Sequence, residues 1–525
     1  MTHTVRLPEN WASTCLGEVA PSVRPRSKPQ EHPELRFIGM DNVEAHTMRL
    51  LGTVPASELK SSATHFQPGD VLYGRLRPYL NKVITVDFEG LASAEFIPLS
   101  PPDGILPELL KYRLNTVEFV AFTSKLDTGD RPRVDYDQIS TFEFGLPPTR
   151  EQHRIVEAIE SYLTRLDDAV ASLQRVQRNL ERYRASVLKA AVEGRLVPTE
   201  AELARREGRD YEPADVLLER ILAERKARWI EDAAEKARGK AEAKALKVGK
   251  PWAPEDNAKA LEKARKTAEA KYKEPESPDT TDLPVLPEGW CWTRAEQVCN
   301  FITKGTTPAK DQMSAHSGDV PFIKVYNLTF DGSLDFSVDP TFVNCGTHTG
   351  SLARSITKPG DVLINIVGPP LGKTALVPNT FAEWNINQAI ARFRPVPGLV
   401  SEYLEFVLRS KPFVEWAVRK SKATAGQFNL TLEICRDAPV PLPPTTEQER
   451  IADELAARAS SEQTAAHSVA RSLGMAALTR QAILKWAFEG KLIEQDPNDE
   501  PAVSLLERIR AKREPKPESR RMGRK

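Results

Sequence analysis

Leu146-Pro147-Pro148-Thr149-Arg150-Glu151-Gln152 returns as Leu442-Pro443-Pro444-Thr445-Thr446-Glu447-Gln448. Leu188-Lys189-Ala190-Ala191-Val192-Glu193-Gly194-Arg195-Leu196 returns as Leu484-Lys485-Trp486-Ala487-Phe488-Glu489-Gly490-Lys491-Leu492. Leu146 to Leu442 and Leu188 to Leu484 are the same shift, 296 positions, so neither copy has gained or lost a residue between its ends. A loop tolerates drift in length. A long helix that spans a fixed distance does not.

The local chemistry predicts that helix. The paired prolines end whatever precedes them, because each lacks an N–H and drives its neighbour out of the α region. Thr149 with Gln152, and Thr445 with Gln448, match a capping box, in which the hydroxyl takes one orphan N–H and the glutamine returns to another. Ile159, Leu166, Leu173, Leu180 and Val187 recur every seventh residue, with Leu163 and Val170 interleaved, as on one seam of a coiled coil. Gly194 and Gly490 stand where a C-terminal cap stops the helix. About 44 residues at 1.5 Å each make a rod of roughly 66 Å. In the second copy Leu455, Val469 and Ile483 keep the seam, while Glu462 and Ala476 interrupt it. The simplest account is two rods packed on each other. Two unrelated amphipathic helices would not share both ends at one offset.

The repeat extends beyond the rods. Leu7-Pro8-Glu9-Asn10-Trp11 parallels Leu286-Pro287-Glu288-Gly289-Trp290, and Pro68-Gly69-Asp70-Val71-Leu72 parallels Pro359-Gly360-Asp361-Val362-Leu363. Arg36-Phe37-Ile38 with Asn42 parallels Pro321-Phe322-Ile323 with Asn327, and Glu212-Pro213-Ala214 parallels Glu500-Pro501-Ala502. The same order of landmarks in both halves is a tandem duplication of one globular domain plus one rod, not a short-period solenoid. The expected division is 1–148 and 283–444 as mixed α and β domains, 149–199 and 445–495 as long helices, 200–282 as a charged helical extension and linker, and 496–525 as a short helix with a basic tail. Helical patterns run from Pro107 to Lys125 and from Glu402 to Lys420. Short β-rich runs such as Asp70 to Tyr73 and Lys82 to Asp87 are bounded by Pro and Gly. Arg225 to Lys273 reads as a solvated helix or helical hairpin, and Pro275 to Pro287 as a flexible or extended connector.

Composition narrows the function. The length of 525 residues suits three or four domains. The 73 basic and 73 acidic residues cancel, so any nucleic-acid surface is local or shared with a partner. Cys15, Cys291, Cys299, Cys345 and Cys435 form no metal spacing and suit a reducing cytoplasm. The N-terminus lacks a signal-peptide core, and no run reaches the ~18 apolar residues of a membrane span. The expectation is a cytoplasmic chain.

Tyr73-Gly74-Arg75-Leu76-Arg77-Pro78-Tyr79-Leu80-Asn81-Lys82 is the main candidate for a DNA contact. Arg75, Arg77 and Lys82 can hold phosphate or pair with guanine, Asn81 can read adenine, and Tyr79 sits among them. An ordinary charged hairpin would have the same composition. The counterpart in the second half holds Asn365, Lys373 and Thr374. Lys125 with Arg131 and Arg133, Lys324 with Asn327, Asn387 with Gln388, and Lys422 with Gln427 and Asn429 complete the candidate set. Gly368 to Thr374 is not a phosphate-binding loop: three residues, not four, separate its glycines, and Pro369 and Pro370 remove N–H donors. The histidines lack metal spacing, and no catalytic motif occurs. Neither Asn-Pro-Pro-Tyr nor Asp-Pro-Pro-Tyr is present, nor is a glycine-rich loop for S-adenosylmethionine. No catalytic, cofactor or metal residue is expected.

Two differing globular domains alternating with two matching long helices resemble the specificity subunit of a type I restriction–modification system. The resemblance spans nearly the whole chain. It rests on the L-P-x-x-W openings, the P-G-D-V-L segments, the L-P-P-x-x-E-Q helix starts and the E-G-[RK]-L helix ends. The long charged segment after Leu196 departs from the simplest pattern. The resemblance implies an α+β fold in which two target recognition domains alternate with two long helices, packed as an antiparallel coiled coil in a tandem pseudo-two-fold repeat. It implies that each domain reads one part of a split double-stranded DNA site and that the helices set the spacing. It also implies two docked modification subunits, which carry S-adenosylmethionine and methylate adenine, and two restriction subunits, which use ATP and Mg to translocate and cleave. This chain is then not the catalyst. Two rivals remain: a coiled-coil scaffold with two protein-binding domains, and an unrecognised fused DNA methyltransferase.

Overall fold

The computed structural model describes residues 7–22, 26–59, 61–126, 131–248, 254–424 and 427–513. Its two longest helices, Thr149–Val192 and Thr445–Phe488, have 44 residues each. Both stop at a left-handed glycine, Gly194 with φ 66° and Gly490 with φ 68°. Arg195 N then reaches back to Ala190 O, and Lys491 N to Trp486 O, both at 2.8 Å, satisfying carbonyls that the helix end leaves open.

The starts differ from the capping box expected of them. Each helix begins at its threonine, so a proline fills the preceding cap position. Thr149 Oγ1 donates instead to Gly104 O at 3.1 Å, and Gln152 Oε1 accepts from Leu106 N at 3.0 Å. Thr445 Oγ1 donates to Gly398 O at 3.4 Å, and Gln448 Oε1 accepts from Val400 N at 2.8 Å. The Thr and Gln side chains therefore tie each helix to a loop of its own globular domain. A local motif has been turned to a tertiary use.

The chain divides into two units, each α+β. The first comprises Met1–Val176 and His467–Lys525, the second Gln177–Ala466. Each long helix thus contributes part of its length to each unit. In the first unit, Ala12–Cys15 pairs antiparallel with Glu143–Leu146. Val71–Gly74 is the centre of a three-stranded sheet between Val83–Thr85 and Phe96–Leu99. A five-stranded sheet includes the parallel pair Arg36–Ile38 and Gly90–Ser93. The main core joins Trp11, Tyr73, Leu109, Phe119 and Ile159 to Leu484 of the second long helix and to Leu505, Leu506 and Ile509 of the Ala502–Arg513 helix.

The second unit repeats this plan with other strands. Cys291–Arg294 pairs with Pro439–Leu442, and two four-stranded sheets and one three-stranded sheet complete it. Its core joins Trp290, Phe393, Tyr403 and Ile451 to Leu188 of the first long helix and to Ala214, Leu217 and Ile221. The last three open the Ala214–Lys247 helix, so part of the charged 200–282 segment is core. The rest of that helix pairs with Pro254–Lys271; the Arg265 guanidinium meets Glu231 through two 2.8 Å bonds, and Trp229 lies 5.4 Å from Tyr272. The connector after it has no helix or strand and turns at Thr280–Leu283, with Trp292 Nε1 donating to Pro284 O at 3.0 Å.

Two further expectations are corrected. The single helical pattern at Pro107 to Lys125 is two helices, Pro107–Leu114 and Val117–Lys125, because Thr116 caps the second by accepting from Phe119 N at 3.3 Å. Ser401–Arg409 and Lys411–Lys420 break likewise, at Ser410, which caps Phe413 N. Glu462, read from sequence as an interruption of the apolar pattern, is nearly buried in the second unit. It is 8% exposed there, and Arg184 neutralises it at 3.0 Å.

Candidate nucleic-acid interface

A continuous apolar run places the Val71–Gly74 strand, buried at all four residues, in the core of the first unit, and the chain then turns outward. Arg77, at φ 51°, opens a short 3-10 turn, Pro78–Leu80, and Asn81, at φ 43°, closes it. Gly74 N meets Lys82 O at 2.8 Å to close the hairpin. A second segment runs beside it: Arg77 N donates to Pro132 O at 2.7 Å and Val134 N to Arg75 O at 3.1 Å.

The side chains divide by exposure. Arg77, Lys125, Arg131 and Arg133 are exposed, and Tyr79 is 46% exposed. Arg133 is held by Glu95 at 2.5 Å, whereas Arg77 and Arg131 have no ion-pair partner among the described residues. Arg75 and Lys82 are half-buried, and the Lys82 ammonium donates to Met40 O at 2.6 Å. Asn81 is 2% exposed, so its amide does not face solvent; it supplies the left-handed turn that asparagine tolerates.

In the second unit the candidate amides are structural. Asn365 is buried; its Nδ2 donates to Pro370 O at 2.9 Å and its Oδ1 accepts from Gly372 N and Lys373 N at 3.0 and 2.9 Å. It folds the 365–373 turn from within. Asn327 is also buried: its Oδ1 accepts from Lys324 N, and its Nδ2 donates to Asp335 O and Val338 O. Thr374 is fully buried and donates to Glu405 Oε1 at 2.5 Å. These three are thus corrected from readers to supports, because a buried polar group with its bonds made inside the protein has none left for a base; Asn81 is corrected on burial alone, its Oδ1 being enclosed without a partner among the described residues.

Lys373 and Lys324 remain at the surface, half-buried. Lys373 Nζ lies 5.5 Å from the Phe330 ring centre, and Lys324 Nζ 3.2 Å from Asp339. Tyr326 donates to the same carboxylate, and these two partners hold Asp339 below the usual carboxylate range. Gln388 is exposed. Asn387 is half-buried, with its Oδ1 accepting from Ala389 N at 3.2 Å. Asn429 is half-buried opposite Lys422 in a strand pair; the side chains of Lys422 and Gln427 lie outside the described residues.

Sequence reasoning passed over His46 and Arg49, which are exposed on a loop bonded to the Pro78–Leu80 turn. No periodicity, glycine or proline marks that loop. Among the described residues no group of three His, Cys, Asp or Glu side chains is placed to hold a metal ion, and no helix is long and apolar enough to cross a membrane.

This frame, two α+β units that each hold part of both long helices, has counterparts among known proteins. The family described as the type I restriction modification DNA specificity domain matches residues 287–460. The chain is 24% identical over 545 aligned residues to the type I restriction enzyme EcoEI specificity subunit of Escherichia coli, covering 90% of this chain and 83% of that one. It is 26% identical over 228 residues to the EcoDI specificity subunit of the same organism, covering 42% of this chain and 50% of that one. The chain thus spans about half the length of one of these relatives and most of the other. In fold it resembles the HsdS subunit from Thermoanaerobacter tengcongensis, with a TM-score of 0.51 at 20% identity over 94% of this chain and 100% of that one. A chain from a structure of complex assembly and conformational transition of the type I R-M system gives a TM-score of 0.60 at 20% identity, over 93% of this chain and 99% of that one. Residues 287–460 thus match the type I restriction modification DNA specificity domain, and the chain as a whole is similar to type I restriction–modification specificity subunits.

Proposed function

We propose that this chain is the DNA sequence-specificity subunit of a type I restriction–modification complex, in which each unit reads one half of a bipartite, asymmetric site. The observation that carries this reading is one frame holding two different surfaces. Trp11 and Trp290 make the same bond to Glu151 and Glu447, at 3.0 and 2.9 Å, and both helices have 44 residues. The loops on that frame share little: the first unit offers Arg77, Tyr79 and Arg131, the second Lys373, Gln388 and Lys324. Two such readers suit two unlike half-sites.

The long helices, in this reading, pack as an antiparallel coiled coil, set the unread gap and dock two modification subunits. Equal length in both copies supports that role, since a length change shifts one reader along the duplex and rotates it about the axis. Exposed arginines not held in ion pairs suit phosphate contacts, and zero net charge is compatible if partners share the phosphate load. The chain is non-catalytic and cytoplasmic. S-adenosylmethionine belongs to the modification subunits, and ATP with Mg to two restriction subunits.

Deleting Leu173 to Val176 tests the ruler. With a modification subunit present, the gap in the methylated motif changes or methylation is lost; an unchanged motif overturns the reading. Binding of S-adenosylmethionine by the isolated chain would favour a fused methyltransferase. The absence of any sequence-selective footprint in the assembled complex would favour a scaffold.

A further inference from the structure

Both units carry one loop on the same clamp, and the tips of the two loops are unlike. In the first unit, Asn42 Oδ1 accepts from Gly39 N at 2.8 Å, Leu51 N donates to Asn42 O at 2.7 Å, and Val43 bridges to Leu50. In the second, Asn327 Oδ1 accepts from Lys324 N at 2.8 Å, Asp335 N donates to Asn327 O at 2.8 Å, and Leu328 bridges to Leu334. Between the clamps stand Glu44-Ala45-His46-Thr47-Met48-Arg49 in one unit and Thr329-Phe330-Asp331-Gly332-Ser333 in the other. Length and chemistry both differ where the support does not.

The first tip is held in a costly conformation. His46 and Met48 have φ 65° and 60°, and neither is glycine. Arg77 and Asn81, on the adjoining turn, bring the left-handed non-glycine residues here to four of the six among the described residues. The two loops brace each other: His46 N donates to Leu80 O at 3.2 Å and Asn81 O at 3.3 Å, and the Lys82 ammonium donates to Met40 O. Within the tip, Glu44 N donates to Arg49 O and Thr47 Oγ1 to Glu44 Oε2. Such strain persists where surrounding bonds over-determine it, and it collects at binding sites.

The result is a braced tip that presents unengaged side chains. His46 and Arg49 are exposed, and neither side chain has a partner among the described residues. Leu50 and Leu51 follow at 37% and 63% exposure. A guanidinium fork pairs with a guanine edge, and an aliphatic group meets a thymine methyl. Arg77, which opens the turn that His46 N bonds to, suits phosphate.

We propose that Val43–Leu50 is the base-reading loop of the first unit, with His46 and Arg49 contacting base edges in a duplex groove. This rests on the specificity-subunit reading above. The test is a methylation map of cells carrying the full chain and its modification subunit, with wild type, His46→Ala/Arg49→Ala and Arg49→Lys compared. In the double variant, discrimination falls about tenfold or more at one or two positions of one half-site. The other half-site and the gap stay fixed. Arg49→Lys keeps the charge and the loop but loses the fork, so it relaxes the same position and decides the matter if the double variant gives no methylation. An unchanged motif in both variants overturns the loop assignment alone. If wild type yields no two-part motif, the specificity reading fails, and this inference with it.

Discussion

Trp11 Nε1–H donates to Glu151 Oε1 at 3.0 Å in a buried contact, fastening the entry of the first unit to the first turn of its long helix. Gln495 Nε2 donates to the same oxygen at 2.7 Å. In the second unit Trp290 donates to Glu447 at 2.9 Å, and the backbone N of Glu200 supplies the other bond at 2.8 Å. Burial pushes both carboxyls above the usual range, and the indole hydrogen bonds oppose that. Trp290→Phe removes one donor from a buried acceptor and should cost about 1–3 kcal/mol. Chemical denaturation of the two proteins measures it; an unchanged midpoint and slope contradict the role.

The helix-stop glycines make a graded prediction. A Cβ on Gly490 meets Pro8 Cγ at 2.3 Å and one on Gly194 meets Pro287 Cγ at 2.4 Å, whereas Gly208, also left-handed at φ 65°, has nothing within 4 Å. Gly208→Ala carries only the backbone strain, about 1 kcal/mol. Gly490→Ala and Gly194→Ala add a clash and should lose more. Equal melting temperatures for the three variants would contradict this.

Nearly buried Glu462 depends on Arg184. Arg184→Ala leaves a nearly buried carboxylate without its cation and should destabilise by about 1–3 kcal/mol. Glu462→Leu should be neutral or stabilising, because an apolar side chain at this position removes the need for the pair. Thermal denaturation of both variants checks the order, and the reverse order contradicts it.

Much of this architecture was legible in the sequence, and the reasons are physical. Leu146 to Leu196 could be read because helix length and a seven-residue apolar period are local properties. The turning of Thr149 and Gln152 toward Gly104 and Leu106 was not, because those partners lie more than forty residues away in sequence and the motif alone fits a cap. Leu217 and Ile221 fall in the 200–282 stretch read as a charged helical extension; that they join one core with Leu399 and Trp290 is a relation no local window contains. Asn365 and Asn327 have the composition of readers, and only their bonds reveal supports.

Acid should weaken one contact in the second unit. The hydrogen bond from His348, at 2.9 Å, holds the Glu383 carboxyl below its ordinary range. A depressed carboxylate stabilises the fold fully above its unfolded pKa of about 4.3, and that contribution disappears as pH falls through the lower folded value. Wild type should therefore exceed Glu383→Gln in melting temperature at pH 7, with the gap closing below about pH 4. A gap that does not change with pH contradicts the pairing.

Arg77→Ala and Asn365→Ala should separate contact from support. Arg77 is exposed and has no ion-pair partner among the described residues, so its loss should leave the melting temperature unchanged and lower DNA affinity across sequences, with a shallower salt dependence. Asn365→Ala removes four bonds from a buried turn and should lower stability first. Binding titrations at two salt concentrations, alongside melting curves, distinguish them; a stable Asn365→Ala or an unfolded Arg77→Ala contradicts the division.

The most direct test of the central claim is a genome-wide map of N6-methyladenine in the source cell, with and without this gene. The account predicts that a two-part motif with an unread gap disappears on deletion and returns on complementation. A map that does not change, in cells where a modification subunit is expressed and copurifies with this chain, would contradict it.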